Sequence, residues 1–274
     1  MFLKSYQPSV CLRSYIEDYK IFHNIGYDTL ILCDKFIPSV GSAMVFHFRD
    51  LSSLIIENQI ITLPEVLFVG QQKKYASIAP GRKHDMLIVK FKPTGLFRLF
   101  RVPAHEITDA GWVDARLICG SQITQLYELI ANEISIDKRI GYLETFLKHR
   151  LMMNEPGLYN NGIDFAANAI ITSKGCLKIN SLYEKLSVDE RTLRRYFQDQ
   201  VGVSAKAFSR TVRINNIIKD TDGNYADIFN IIVKYNYFDQ THFINDFKDI
   251  VGETPSHFIN REKLHTKTIS AIID

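Results

Sequence analysis

The sequence of 274 residues has little of what marks a disordered, a membrane-spanning or a secreted chain. It has only 14 glycines and 8 prolines while 46% of its residues are hydrophobic, which excludes long disorder and leaves enough apolar surface for two cores. No segment approaches the ~18 uncharged apolar residues of a membrane helix, and the first residues lack the apolar run of a signal peptide. We therefore expect a cytoplasmic protein of two domains, with no membrane partner.

Cysteine and net charge are also scarce. Cys11, Cys33, Cys119 and Cys176 are far apart and form no CxxC motif, so we expect reduced, buried thiols rather than disulfides or a zinc site. The net charge is only +3. A charge of this size does not indicate a nucleic-acid partner from the whole chain, so evidence for such a partner must be local.

Catalytic and cofactor motifs are missing as well. The sequence has no phosphate loop, nucleophile elbow or dinucleotide fingerprint, and His84, His105 and His149 are scattered. His47, in the apolar segment VFHF, is predicted to be a hydrogen-bonded sheet residue rather than a metal ligand, and no HxH supports a cupin-type metal centre. The segment RKHD at 82–85 is predicted to be a charged turn. We predict no catalytic residue, no metal, no cofactor and no enzymatic activity.

The first ninety or so residues have the pattern of a β-rich region. Short runs rich in Val, Ile, Leu and Phe are separated by proline and glycine, which predicts an antiparallel sandwich or barrel, with a cupin-like barrel as one form. The predicted strands are TLILCDKFIP, SAMVFHF, SSLIIEN, QIITL, EVLFVG and HDMLIVKFK. After Pro93 the apolar spacing becomes helical, in GLFRLFRV, SQITQLYELIANEI and DKRIGYLETFLKHRLMM.

The breaker-rich segment NEPGLYNNG at 154–162 predicts a domain boundary. The fold class is therefore α+β, with a sensory or dimerisation domain at 1–155 and an all-helical domain at 162–265. An apolar stripe in SQITQLYELIANEI either packs on the β-rich part or forms a dimer seam, and we slightly favour the seam. Its members are Ile123, Leu126, Leu129, Ile130 and Ile134.

The segment DERTLRRYFQDQVG, at 189–202, predicts a helix with one basic face. The helical spacing i, i+3, i+4, i+7 puts four side chains on one side. These are Arg191, Arg194, Arg195 and Gln198. Leu193, Tyr196 and Phe197 fall on the opposite side. By itself such a face is more often solvated than functional.

The last hundred residues contain an internal repeat. At an offset of 50, apolar, acidic and glycine positions coincide, and upstream of the turn the offset is 49. The pairs include Asp189 with Asp239, Leu193 with Phe243, Phe197 with Phe247, Gly202 with Gly252, Ser204 with Thr254, Phe208 with Phe258, and Leu182 with Ile231. The pattern predicts a helix-turn-helix unit present twice, each with a capping Asp and a terminal Gly. A duplicated α-hairpin in a helical bundle is the alternative.

The segments SLYEKLSVDERTLRRYFQDQVGVSAKAF and YNYFDQTHFINDFKDIVGETPSHF resemble the double helix-turn-helix domain of the AraC/XylS family of bacterial transcription regulators. The resemblance covers about residues 163–262. It implies two recognition helices that enter successive major grooves, joined by the long helix KAFSRTVRINNIIKD. The sequence departs from the family where Tyr183 and Ile232 replace a small residue, where Ser187 and Asn236 replace the turn glycine, and where Ile217 replaces Ala.

The resemblance implies which side chains read DNA. In the first unit these are Arg191, Arg194, Arg195 and Gln198; in the second they are Gln240, Thr241, His242, Asn245 and Lys248. Arginine pairs bidentately with guanine or clamps a phosphate, and Asn or Gln pairs with adenine. The position of Asn245 is often Arg in the family, which implies a weaker or differently specific contact. Residues 163–265 hold 14 basic and 13 acidic residues, so binding depends on where the basic residues lie.

We therefore expect a sequence-specific transcription regulator with double-stranded DNA and RNA polymerase as partners. The family also implies that the N-terminal domain binds a small-molecule effector or mediates a homodimer, but nothing in the sequence names the ligand, the operator or the sign of regulation. The alternative is a β-barrel enzyme or binding protein whose helical C-terminal region serves oligomerisation.

Overall fold

The computed structural model describes residues 2–24, 34–56, 59–79, 83–154, 162–221 and 228–258. The N-terminal part consists of two antiparallel sheets followed by helices, and the C-terminal part is helical, as the sequence predicts. Within the described residues no helix is both long and apolar enough to cross a bilayer.

Strands up to residue 114 form the two sheets. They are β1 (Phe2–Tyr6), β2 (Ile16–Asn24), β3 (Asp34–Phe36), β4 (Ala43–His47), β5 (Ser53–Ile56), β6 (Gln59–Thr62), β7 (Val66–Val69), β8 (Ala76–Ala79), β9 (His84–Phe91) and β10 (Trp112–Asp114). The larger sheet has the order β1-β2-β9-β4-β7-β10, and the smaller has the order β3-β8-β5-β6. Every pairing among the described strands is antiparallel, although only β1–β2 and β5–β6 join consecutive strands.

Helices after residue 94 complete the N-terminal part and form the C-terminal part. The first group is α1 (Gly95–Phe100), α2 (Ala104–Ala110), α3 (Ala115–Cys119), α4 (Ser121–Ala131) and α5 (Ile136–Met153). The second group is α6 (Ile163–Thr172), α7 (Asn180–Leu186), α8 (Glu190–Val201), α9 (Ala205–Thr221), α10 (Ile228–Lys234) and α11 (Gln240–Val251). The N-terminal core lies between one face of the larger sheet and α1, α4 and α5.

The apolar stripe of α4 packs on the chain's own core. Ile123, Leu126 and Ile130 are buried there together with side chains of the larger sheet and α5. Leu129 and Ile134 are 54% and 94% exposed. The dimer-seam interpretation is therefore wrong for the stripe as a whole, because three of its five side chains are already buried in the chain's own core.

Four strands were not predicted, and β2 is the longest of them. Its sequence IEDYKIFHN mixes charged and apolar residues, yet Asp18 and Lys20 are buried along with the apolar side chains. The predicted turn at 82–85 is also wrong, because His84 and Asp85 begin β9 and are buried. Asp85 accepts two hydrogen bonds from Arg139 of α5, at 3.1 and 3.0 Å.

Other predictions have mixed outcomes. His47 is buried in β4, with its Nδ1 3.1 Å from the carbonyl oxygen of Pro64, as predicted for a hydrogen-bonded sheet histidine. Burial lowers the pKa of its ring below the usual value. Cys119 is buried, but Cys176 is partly exposed and Cys11 is exposed, so the expectation of buried thiols holds only in part. Residues 29–33, which include Cys33, and the segment 155–161 lie outside the described residues.

Candidate nucleic-acid interface

The C-terminal part contains two helix-turn-helix units built on the same local pattern. The first consists of α7, a short turn and α8, and the second consists of α10, a short turn and α11. Helix α9 joins them. The repeat in the sequence is therefore a repeat of structure.

Each recognition helix begins at an aspartate that caps it. The backbone N–H of Thr192 donates to the Asp189 carboxylate, and that of His242 donates to the Asp239 carboxylate, each at 2.7 Å. Such a cap satisfies a backbone donor that the helix itself leaves unpaired. The bond from Thr192 holds the pKa of Asp189 below its usual value. The predicted capping residues are confirmed.

Each recognition helix ends at a glycine in the left-handed region, Gly202 at φ 94° and Gly252 at φ 82°. The next helical segment starts at a hydroxyl residue. The N–H of Ala207 donates to Ser204 at 3.2 Å, and the N–H of His257 donates to Thr254. The start and end signals read from the sequence are confirmed in both units.

The duplicated apolar positions form two separate cores. Leu193, Phe197, Val201 and Phe208 are buried in the first, together with Leu182 of α7. In the second core the equivalent positions are held by Phe243, Phe247, Val251 and Phe258, together with Ile231 of α10. Each unit therefore fixes its own recognition helix from the buried side, which leaves the opposite side to solvent.

The two turns also share their backbone conformation at the site of the missing glycine. Ser187 has φ 52° and Asn236 has φ 55°, both in the left-handed region. Their N–H groups donate to carbonyls of the preceding helix, from Ser187 to Glu184 and from Asn236 to Val233. Ser187 and Asn236 therefore differ from the family's glycine in residue type but keep the left-handed conformation of the turn.

The predicted reading residues of the first unit lie on the outer face of α8. Arg191, Arg194 and Arg195 are exposed, and Gln198 is partly exposed. None of the three arginines makes an ion pair with another described residue; the guanidinium of Arg195 lies 5.2 Å from the ring centre of Tyr196. The structure brings the four side chains to one surface with their donor groups directed away from the core.

The second unit presents its predicted residues in the same way. Gln240, Thr241, His242, Asn245 and Lys248 are exposed on α11. Lys248 is the only cation between Asp239 and Ile250. The second face is therefore largely uncharged.

The acids of α11 point away from this face and have partners inside the protein. Asp246 is buried and accepts from Arg210 Nε at 2.8 Å, and Tyr237 Oη lies 3.3 Å from it. Asp249 accepts from Arg210 Nη2 at 2.9 Å. Burial would raise the pKa of Asp249, but hydrogen bonds from Arg210 and Lys74 lower it below the usual value. These carboxylates oppose the approach to phosphate less than the sequence suggested.

Helix α9 is hydrogen-bonded through one carboxylate to the second unit and to the segment before the first unit. Its residue Asp220 accepts from Lys234 at 2.7 Å, from Tyr235 Oη at 2.6 Å and from Lys174 at 2.9 Å. These hydrogen bonds hold the pKa of Asp220 well below its usual value. Since Lys174 lies between α6 and α7 and Lys234 belongs to the second unit, one carboxylate of α9 links the segment before the first unit to the second unit.

The N-terminal part contacts the end of the first recognition helix. A Cβ added at Gly202 would meet the side chain of Thr108 and the backbone of Ala104, both in α2. His105 Nδ1 lies 3.5 Å from a carboxylate oxygen of Asp199. The contact between α2 and α8 therefore requires a residue without a side chain at position 202.

The N-terminal part contacts the second recognition helix at the equivalent positions. Gly252 lies against the ring of Tyr75, whose backbone N–H donates to the carbonyl of Ile250 at 2.9 Å. Lys74 Nζ lies 3.2 Å from Asp249. Because Asp249 and Gly252 repeat Asp199 and Gly202, the N-terminal part contacts both units at corresponding sites.

A third contact reaches the helical cores and α9. Ile37 is buried in the core of the second unit, and Val40 packs on that of the first. Asn215 of α9 donates from Nδ2 to the carbonyl oxygen of Pro38 at 2.9 Å. The sequence alone did not indicate these contacts, since they join residues more than 120 positions apart.

One residue of this surface, Phe238, was not indicated by the sequence patterns. It precedes the capping Asp239, and its side chain is 91% exposed. The signal that could have found it is the change of offset from 49 to 50 within the turn, which means that the second turn is one residue longer.

Comparisons with known proteins agree with the geometry. Residues 182–261 match the family described as "Helix-turn-helix domain", and residues 4–112 match a family described as "Domain of unknown function (DUF6597)". Among curated proteins, none matches the chain.

Similar solved structures include ToxT from Vibrio cholerae. One, at 1.65 Å resolution, is 11% identical over 88% of this chain and 97% of that chain, with a TM-score of 0.45. Another is wild-type ToxT from strain SCE256 with an unsaturated fatty acid bound, 11% identical over 88% and 94%, with a TM-score of 0.44.

Two units with the same caps, turns and cores each expose one helix face, and the family match covers both units. The alternative of a duplicated hairpin without a reading surface does not explain that match. Within the C-terminal part, residues 182–261 form an AraC-type helix-turn-helix domain.

Proposed function

We propose that this regulator reads two successive major grooves, with α8 and α11 as recognition helices. The reading residues of the proposal are Arg191, Arg194, Arg195, Gln198, Gln240, Thr241, His242, Asn245 and Lys248. The observation that carries it is the repetition of one scaffold, from the capping aspartate to the terminal glycine, with an exposed polar face each time. N-terminal residues of a recognition helix contact base edges in this type of docking.

The two helices supply different chemistry in this proposal. The arginine fork of α8 pairs with guanine O6 and N7 or clamps a phosphate. On α11, Asn245 pairs with adenine, and the methyl of Thr241 contacts thymine. The first half-site therefore contains guanine, and the second is rich in A·T pairs.

A selection from random duplex DNA with the full chain tests the proposal. We expect one enriched sequence with two half-sites whose centres are about one helical turn apart. Arg194→Ala should weaken binding and relax the first half-site only. Arg116→Ala changes an exposed arginine of α3, on the N-terminal part, and serves as the control with unchanged selection. Enrichment of a single short half-site would contradict reading by both helices.

We further propose the division into a sensory or dimerisation domain at 1–155 and a DNA-reading domain at 162–265, in a cytoplasmic protein without enzymatic activity. RNA polymerase and a small-molecule effector are proposed partners, as the family resemblance implies. The effector proposal is supported by the contacts of the N-terminal part with both recognition helices, at Asp199 and at Asp249. These contacts offer a physical route from a ligand to both half-sites.

Native mass spectrometry of the full chain purified from a bacterial cytosol tests the effector. We expect a co-purified small molecule whose removal changes operator affinity. Unchanged affinity after complete removal would argue for a regulator without an effector.

The homodimer proposal now concerns only the exposed side of α4. Leu129 is 54% exposed, whereas Leu126 belongs to the core. Leu129→Glu should convert a dimer into monomers in analytical ultracentrifugation, while Leu117→Glu, at an exposed position of α3, should not. A dimer that survives Leu129→Glu would exclude this surface.

A further inference from the structure

The turn of the second unit contains one residue that has no counterpart in the first. In the first unit one residue, Val188, separates the left-handed Ser187 from the capping Asp189. In the second unit Tyr237 and Phe238 both lie between the left-handed Asn236 and the cap.

Backbone hydrogen bonds identify the inserted residue. The N–H of Val188 donates to the carbonyl of Tyr183 at 3.1 Å, and the N–H of Tyr237 donates to that of Ile232 at 3.0 Å. Each bond links the residue after the left-handed position to the preceding helix. Val188 and Tyr237 are therefore equivalent, and Phe238 is the insertion.

The side chains agree with this assignment. Val188 packs on the first core, and Tyr237 is buried in the second, with its ring centre 5.4 Å from that of Phe243. In both units, therefore, an apolar side chain ahead of the capping aspartate packs on the core beside the start of the helix. Phe238 is not needed for that contact, and its side chain is left 91% exposed.

Phe238 lies next to the exposed residues at the start of α11 that are proposed to read bases. It directly precedes the cap, and the next side chains, Gln240 and Thr241, are exposed at the helix start. No cation lies in this half of the helix, since Lys248 is near its other end. Contact with DNA at the helix start must therefore come from uncharged groups.

We propose that Phe238 is a specificity-determining residue that contacts the 5-methyl group of a thymine in the second half-site. An aromatic ring cannot hydrogen-bond to a base edge, but apolar contact with this methyl distinguishes thymine from the other bases in the major groove. Docking removes the ring and the methyl from water together, which stabilises the complex. This inference rests on the proposed reading of DNA by α11.

Replacing thymine by uracil, one position at a time, removes only the methyl. With the full wild-type chain, we expect one position of the second half-site at which uracil weakens binding about fourfold. Phe238→Ala should weaken binding to the thymine operator by about tenfold and should be insensitive to uracil at that position. Phe229→Ala, at a 74% exposed position of α10 in the same unit, is the matched control and should leave affinity and uracil sensitivity unchanged.

The outcomes separate this inference from the proposed function. If wild type selects no sequence, the reading of DNA by both helices fails. If wild type binds a two-part operator but Phe238→Ala binds it within twofold, or keeps the uracil effect, Phe238 does not read thymine. Loss of the uracil effect in Phe238→Ala alone, with normal circular dichroism, supports the contact.

Discussion

In the first unit the three arginines of α8 point to solvent without ion-pair partners among the described residues, whereas in the second unit the acids of α11 are paired with cations of the protein, Asp246 buried and Asp249 partly exposed. Asp246 and Asp249 share Arg210 of α9, and the one cation of α11, Lys248, is exposed. The same scaffold therefore uses charge in opposite ways. The first helix exposes its cations, and the second pairs its anions with an arginine of α9.

Formal charge is therefore a poor guide to the proposed DNA interface. Residues 163–265 are nearly neutral by count, yet their acids serve as helix caps at Asp189 and Asp239, as partners of Arg210, and as the link at Asp220. The three arginines of α8 form no such ion pair among the described residues. We expect the first unit to supply the salt-dependent part of the affinity and the second to supply contacts that depend little on salt.

The largest expected effect comes from removing Arg210, the cation of α9 that pairs with both acids of α11. Arg210→Met leaves the buried Asp246 without its strongest partner, so we expect a loss of about 3 kcal/mol in the free energy of unfolding, measured by urea denaturation. Adding Asp246→Asn should recover part of this loss, because no unpaired charge then remains. Arg191→Ala, which removes an exposed arginine of the first unit, should change stability by less than about 0.5 kcal/mol. Equal losses of stability in Arg210→Met and Arg191→Ala would show that the buried Asp246 does not depend on Arg210.

The contrast in reading chemistry predicts unequal losses of affinity. Arg194→Ala should cost about 1–3 kcal/mol of binding if the arginine pairs with a base, and a phosphate contact should also reduce the salt slope by about one. Asn245→Ala should cost less and change base preference in its own half-site. Titration of both variants on one operator at two salt concentrations measures the difference. If Asn245→Ala is the more damaging change, α11 is the principal reader.

The helical half could be predicted from the sequence because its signals are local. Caps, turn residues and apolar spacing lie within fifteen residues of one another, so the resemblance and the physics indicate the same elements. Strand β2 was not predicted because Asp18 and Lys20 interrupt its apolar pattern, and they are buried in a sheet where β2 pairs with the distant strand β9. The contacts of Tyr75 and Pro38 with the helical units were equally out of reach, since no local pattern encodes a contact between domains.

The contribution of Asp220 to the free energy of unfolding should depend on pH. Hydrogen bonds from Lys234, Tyr235 and Lys174 depress the pKa of Asp220 in the folded state, so its stabilising contribution is present above the unfolded pKa of about 3.9 and is lost as pH falls toward the folded value. Asp220→Asn should cost about 1 kcal/mol at pH 7, since the group is partly exposed. Urea denaturation at pH 7, 5 and 3 should show a constant difference from wild type at the first two and a smaller one at the third. A difference that grows on acidification would contradict this sign.

The smallest expected effect concerns the two turns, whose left-handed residues differ in type. A side chain with Cβ is strained in this region, and Asn tolerates it better than Ser. Gly relieves the strain but has more freedom to lose on folding. Ser187→Gly should therefore raise the free energy of unfolding by about 0.5 kcal/mol, while Asn236→Gly should leave it nearly unchanged. The carbonyl partners of Ser187 and Asn236 are backbone groups that either variant retains, so a difference between the variants reports backbone strain alone. Thermal unfolding of both variants in parallel measures it, and a larger gain at Asn236 would show that the longer second turn, rather than residue type, sets the strain.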